Sequence, residues 1–156
     1  MNNSANSNMY YHAIDRAWTL YAHRLDGNRD GFICVVGNND LSGVARNALE
    51  ASMEKLGYGS RACTFIALVD ASAEAGAPLS AQQLLELIEL LDPAILIAAD
   101  EESARALSEA FRTKIPLFDL SHIAGRATVA FSSFQGMLDL MPDKQKAWAT
   151  LKRLAR

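Results

Sequence analysis

Four short apolar runs, each leading into a polar turn, constrain this chain more than any other feature. They are FICVV at 32–36, TFIALV at 64–69, AILIAA at 94–99 and TVAF at 128–131. Each is continuous rather than alternating, and β-branched residues are frequent in all of them. A run of this kind, too short to be a helix, reads as a strand buried on both faces. Helical patterns lie between the runs, and such alternation implies parallel strands joined by crossover helices on both faces of one sheet. The expected fold class is therefore α/β. The architecture is a three-layer α/β/α sandwich around a central, mostly parallel sheet of four or five strands.

The helices are bounded by recognisable signals. Tyr11, Ile14, Trp18, Tyr21 and Leu25 recur at spacings of three and four, which predicts an amphipathic helix from Tyr10 to Leu25. Trp18 and Tyr21 are expected to pack it on the sheet. LDGNRDG then breaks the pattern with turn-forming residues. Asp40 or Ser42 can cap the helix after the first strand, and Gly57 suits its C-terminal end. Ser80 starts the next helix, which stops before Asp92-Pro93 because the residue preceding a proline disfavours helix. Asp100 can cap the stretch EESARALSEAFR, which carries its acids in the first turn. Pro116 to Leu120 reads as a short strand or a connector, and Pro142 as the first residue of the last helix. The Asn- and Ser-rich residues 1–9 are expected to form a disordered tail, and residues 10–156 a single domain.

A chain of 156 residues suits one domain with a core that needs no staples. No apolar run reaches the roughly 18 residues of a membrane span, and the first residues lack the basic start and apolar core of a secretory signal. A cytoplasmic location is the expectation. Cys34 and Cys63 sit in strand-like runs and read as buried thiols. His12, His23 and His122 are scattered, so no zinc site is implied. The net charge of −3, from 15 basic and 18 acidic residues, argues against strong unspecific nucleic-acid binding. The last segment holds Lys144, Lys146, Lys152, Arg153 and Arg156 against Asp143, and reads first as a solvated helix face whose cations favour the dipole.

In an open parallel sheet, ligands bind beyond the carboxyl ends of the strands. The polar residues expected there are Asn38, Asn39 and Asp40 beside Gly37, then Asp70, Asp100, Ser132, Ser133 and Gln135. No G-x-G-x-x-G follows a strand and no G-x-x-x-x-G-K-[ST] occurs, so neither nucleotide loop is supported. A nucleophilic serine needs a base, and the nearest histidine is His122. Asp40, Asp70 and Asp100 each follow a strand, which is compatible with Mg²⁺ or acid–base work. Capping accounts for two of them, so no metal and no cofactor are expected.

The order of these segments resembles the uracil-DNA glycosylase superfamily. In many bacterial members a strand leads to H-P-S, then L-L-R and a proline, then K-x-x-x-W-x-x-L. Here the stretch reads TVAFSSFQGMLDLMPDKQKAWATLKRL, with Pro142, Lys144, Trp148 and Leu151 close to that cadence. The block LELIELLDPAILIAADEESARAL is also similar to the family's helix, proline, strand and helix. The resemblance spans roughly Phe32 to Leu154, and Pro142 and Trp148 would start and anchor the last helix.

The resemblance implies a glycosylase-like fold, and it also implies losses. One branch carries G-x-N-P-G after the first strand. GNNDL matches its asparagine with Asn39, but Asp40-Leu41 replaces Pro-Gly, and leucine does not take a glycine's positive φ cheaply. The asparagine that reads uracil at a strand end has no counterpart, and only Asp70 is near. In the H-P-S position stands Phe131-Ser132-Ser133, which keeps the serine and replaces the histidine. A glycosylase donates hydrogen bonds to a departing uracil anion, and phenylalanine has none to donate. The four cysteines of the iron–sulfur branch are missing too.

Three readings follow. The first is a catalytically inactive member of this fold, an accessory or interaction module with a protein or DNA partner. The psi subunit of bacterial DNA polymerase III also resembles the glycosylases without the activity. The second is a divergent glycosylase acting in DNA repair. In it Asn39 positions water, Ser133 and Lys144 meet DNA phosphates, and Phe65 or Phe131 stacks on the flipped base. The third is a flavodoxin- or receiver-like domain that binds a small molecule or a partner.

Overall fold

The computed structural model describes residues 3–39, 41–70 and 77–155. In chain order its elements are α1 (Asn3–Leu20), β1 (Leu25–Gly27), β2 (Ile33–Gly37), α2 (Gly43–Lys55), β3 (Cys63–Ala67), α3 (Ala81–Leu91), β4 (Ile95–Ala98), α4 (Glu101–Phe111), β5 (Ser121–Ile123), β6 (Arg126–Ala130) and α5 (Met141–Lys152). Short 3-10 turns occupy Ala22–Arg24 and Gly136–Leu138.

The strands form one sheet in the order β1-β3-β2-β4-β6-β5. The inner four, β3, β2, β4 and β6, are parallel. They are the four continuous apolar runs, and the layers above and below bury both of their faces. Ile33, Val35, Ile95, Ile97 and Val129 face α2 and α5. Cys34, Val36, Leu96 and Ala98 face the opposite layer, where α1, α3 and α4 pack. Period-two alternation thus feeds two cores from each strand, and the three-layer α/β/α expectation holds.

The sheet has six strands rather than four or five. The additions are three-residue edges, β1 on β3 and β5 on β6, both antiparallel. Neither carries an apolar run, so periodicity passes over them. β1 begins at Leu25, within the stretch read as helix, because α1 stops at Leu20 and Ala22–Arg24 is a 3-10 turn. β5 follows the Pro116–Leu120 connector. It meets β6 through Ala124 and Gly125, whose φ values of 49° and 83° give a turn that matches the twist of a hairpin.

At the other end, helical backbone begins at Asn3 rather than Tyr10, so it runs through most of the tail expected to be disordered. Once Ile14 and Ala17 are packed, each further residue adds a hydrogen bond, and Asn and Ser are weak but tolerated helix formers. Trp18 and Tyr21 do pack inward. Tyr21 is buried and its hydroxyl donates to Glu86 on α3 at 3.3 Å, while Trp18 Nε1 donates to the Arg29 carbonyl at 3.0 Å.

The caps follow the sequence closely. Ser42 Oγ accepts from the Ala45 N–H at 3.2 Å. Ser80 and Gln83 form a reciprocal capping box, as do Asp100 and Ser103. Pro142 is the second residue of α5 rather than the first. Cys34 and Cys63 are buried free thiols in opposite cores, so they face away from each other.

Candidate functional site

The crossover from β2 passes over one face of the sheet and that from β4 over the other. The carboxyl ends of these neighbours therefore diverge, and a crevice opens at the switch point. A cleft of about 390 Å³ occupies it, lined by Asn39, Leu41, Asp100, Ser133, Gln135 and Asp139 among others.

Asp100 is the pivot of this cleft. One carboxylate oxygen accepts from the Ser103 N–H at 2.8 Å and caps α4. The other accepts from the Asn38 N–H at 2.8 Å and pins the loop after β2. Ser103 is buried beneath it, donating from Oγ to the Asp100 carbonyl at 2.9 Å. The backbone of Asp100 also bridges to Ser133.

The far wall is held by longer hydrogen bonds. Ser133 Oγ accepts from the Gly136 N–H at 3.1 Å, and Gln135 Oε1 accepts from the Ser42 N–H at 3.2 Å. Ser132 is exposed, and its carbonyl accepts from the Glu101 N–H at 3.1 Å. Gly37 ends β2 where space is short. A Cβ there would stand 3.1 Å from the Asn39 carbonyl oxygen and 3.6 Å from Asp100 Oδ2.

Asn38, Asn39, Asp100, Ser133 and Gln135 are brought together as the strand-end rule expects, and Asn39 is exposed to the cleft. Asp139 joins them unforeseen. It follows the 3-10 turn at Gly136–Leu138, whose Gly136 also lines the cleft, and nothing in SSFQGMLDLM signals that turn. Asp40 lies outside the described residues. Asp70 does not line the cleft, because β3 sits on the far side of β2 from β4. Lys144 is also elsewhere, on the α5 side of a separate cavity between α5 and α2. His122 pairs with Ala127 near the start of β6, so it lies toward the amino edge of the sheet and cannot serve this cleft.

Phe131 is fully buried rather than available for stacking. Its ring meets Phe118 and Phe134 edge-on, with centroids 6.1 Å and 5.2 Å away. Phe65 is half-buried beneath the Arg46 guanidinium, whose central carbon lies 4.3 Å from the ring centroid.

The chemistry open to the cleft follows from its lining. It presents the Asp100 and Asp139 carboxylates with amides and a hydroxyl, and no Lys, Arg or His among the described lining residues. Both Asp100 oxygens already accept backbone hydrogen bonds, which makes this carboxylate a structural pin. Among the described lining residues nothing cationic faces a developing negative charge, and carboxylates repel a phosphate backbone. Among the described residues no group of three or more His, Cys, Asp or Glu side chains could hold a metal ion. None of the helices there is long and apolar enough to cross a membrane.

No protein-family model matches the chain, and no curated protein matches it in sequence.

Proposed function

We propose that the chain is a non-catalytic protein on a uracil-DNA glycosylase-like scaffold, acting as an accessory or interaction module. The observation that carries this reading is Phe131. At the position where the resemblance implies a charge-stabilising histidine, a phenylalanine is sealed in the core between Phe118 and Phe134. The cleft beside it adds support, since its lining carboxylates oppose both DNA phosphates and a uracil anion.

Strand order bears on the scaffold. Counted among themselves, the parallel strands run second, first, third, fourth. A flavodoxin-like sheet shares that order but adds a fifth parallel strand. Here the next strand is the antiparallel β5, which favours the glycosylase-like layout.

The test is uracil excision. Purified protein is incubated in excess with single- and double-stranded DNA containing uracil, and alkali-labile breaks are scored beside an Asn39→Ala variant. No breaks above background are expected from either protein. Breaks made by the wild type and lost in the variant would establish a divergent glycosylase with Asn39 as its water-positioning residue.

A further inference from the structure

The two faces of the sheet are covered unequally. On one, α3 packs against both α1 and α4. On the other, α2 and α5 both start at the carboxyl edge and run back along the sheet with an open groove between them. A cavity of about 290 Å³ lies in it, and a shallower one of about 280 Å³ continues it past Ala51, Lys55 and Trp148. Phe134, Leu138 and Leu151 form the floor, and Val44, Ala48 and Trp148 the walls. Val44 is 70% exposed, and Leu140 and Met141 at the start of α5 are 63% and 62% exposed. Val44 leaves apolar surface in water on the groove's wall, and Leu140 and Met141 add exposed apolar surface at the start of α5, which marks this side as a docking surface.

The charged residues that line the groove are lysines among the described residues. Lys144 lines it, and the ammonium groups of Lys55 and Lys152 stand 5.1 Å and 6.0 Å from the Trp148 ring centroid. Among the described residues none of these three lysines is paired with a carboxylate, whereas six ion pairs elsewhere each use an arginine. We propose that this groove docks an amphipathic helix of a protein partner, with an apolar edge against the floor and acidic residues flanking it. A helix between two helices is a common packing solution, and recognition by apolar anchors spaced three and four residues apart suits a groove of this kind. A second copy is the poorer occupant, because a two-fold contact would set lysines against lysines. Nucleic acid is poorer too, because the floor of Phe134, Leu138 and Leu151 offers no hydrogen bond to a base edge.

The test uses the full chain and labelled synthetic helices of about four turns, each with one leucine stripe. The remaining positions are all Glu, all Gln or all Lys. Fluorescence anisotropy is expected to show the Glu peptide binding at least about ten-fold tighter than the other two, and weakening as salt rises. Val44→Asp, at an exposed site that no core contact needs, should abolish binding, and the Lys144→Glu/Lys152→Glu pair should reverse the preference toward the Lys peptide. Equal binding of all three peptides, no binding of the Glu peptide, or indifference to both variants would overturn the proposal. So would sedimentation showing self-association lost in Val44→Asp, or single-stranded DNA competing for the groove. None of these readouts depends on excision, so the result stands apart from the glycosylase assay.

Discussion

The backbone N–H of Asn38 and the carboxylate of Asp100 meet at 2.8 Å, joining the loop after β2 to the start of α4 across the mouth of the cleft. The same carboxylate caps α4 through Ser103. Asp100→Ala removes a cap worth about 1 kcal/mol and leaves the half-buried Asn38 N–H without its acceptor, at a comparable cost. A loss of about 2 kcal/mol in urea denaturation is expected, with faster amide exchange at Asn38. Asp100→Asn, which keeps one acceptor, should fall between. Wild-type stability in Asp100→Ala would mean that the loop is held by something else.

Supplying the histidine that the resemblance implies should not create chemistry. Phe131→His puts an imidazole into a dry pocket walled by Phe118 and Phe134. The lost ring volume and the unpaired polar nitrogens together cost about 3 kcal/mol or more. The variant is expected to be markedly less stable and still inert on uracil-containing DNA. Activity gained by this one change would refute the scaffold reading.

What the sequence revealed, and what it hid, divides along physical lines. The inner strands were legible because burial on both faces demands unbroken apolar runs such as ILIA in β4. Ser80 and Asp100 were legible as caps because capping is local. The edge strands were not, since Leu25–Gly27 and Ser121–Ile123 are too short to show a period and are defined by their neighbours. The site shows the same split. Asn39, Asp100 and Ser133 follow from strand-end logic, but excluding Asp70 needs the strand order, and including Asp139 needs the turn at Gly136–Leu138.

Glu50 predicts a pH dependence. Its carboxyl accepts the Ala62 and Cys63 N–H groups, while Oε2 is buried with no hydrogen bond among the described residues. Burial is the main cause that raises its pKa above the ordinary glutamate value. A pKa raised by folding contributes stability that is present below the unfolded value and is lost as pH rises through the folded one. At neutral pH the ionised form is therefore a liability. Glu50→Gln should unfold at a higher temperature than wild type near neutral pH, with the gap closing by about pH 4. Identical melting at both pH values would show that the carboxylate is well solvated.

The thiols should be inert in the native state. Burial pushes the Cys63 thiol up to about 12 and raises that of Cys34 further. With so little thiolate and no access, neither should react with a water-soluble disulfide reagent until the chain unfolds. Labelling should track the denaturation curve, and a fast native phase would reveal opening of β2 and β3.

Gly27 closes β1 where no side chain fits. Its φ is 90°, and a Cβ would lie 2.5 Å from the Cys63 carbonyl oxygen. Gly27→Ala should detach this edge, costing about 2 kcal/mol or more. Protection of the Leu25–Gly27 amides should fall while that of β4 is retained. Unchanged protection would mean that the strand shifts to make room.

Both borders of the sheet thus end in strands of three residues running against their neighbours. So short a border offers another chain almost no ladder of backbone groups to extend, which blunts edge-to-edge aggregation. The sheet is closed to growth, and assembly falls to side chains on the helical layers, where contacts are more selective and more easily reversed.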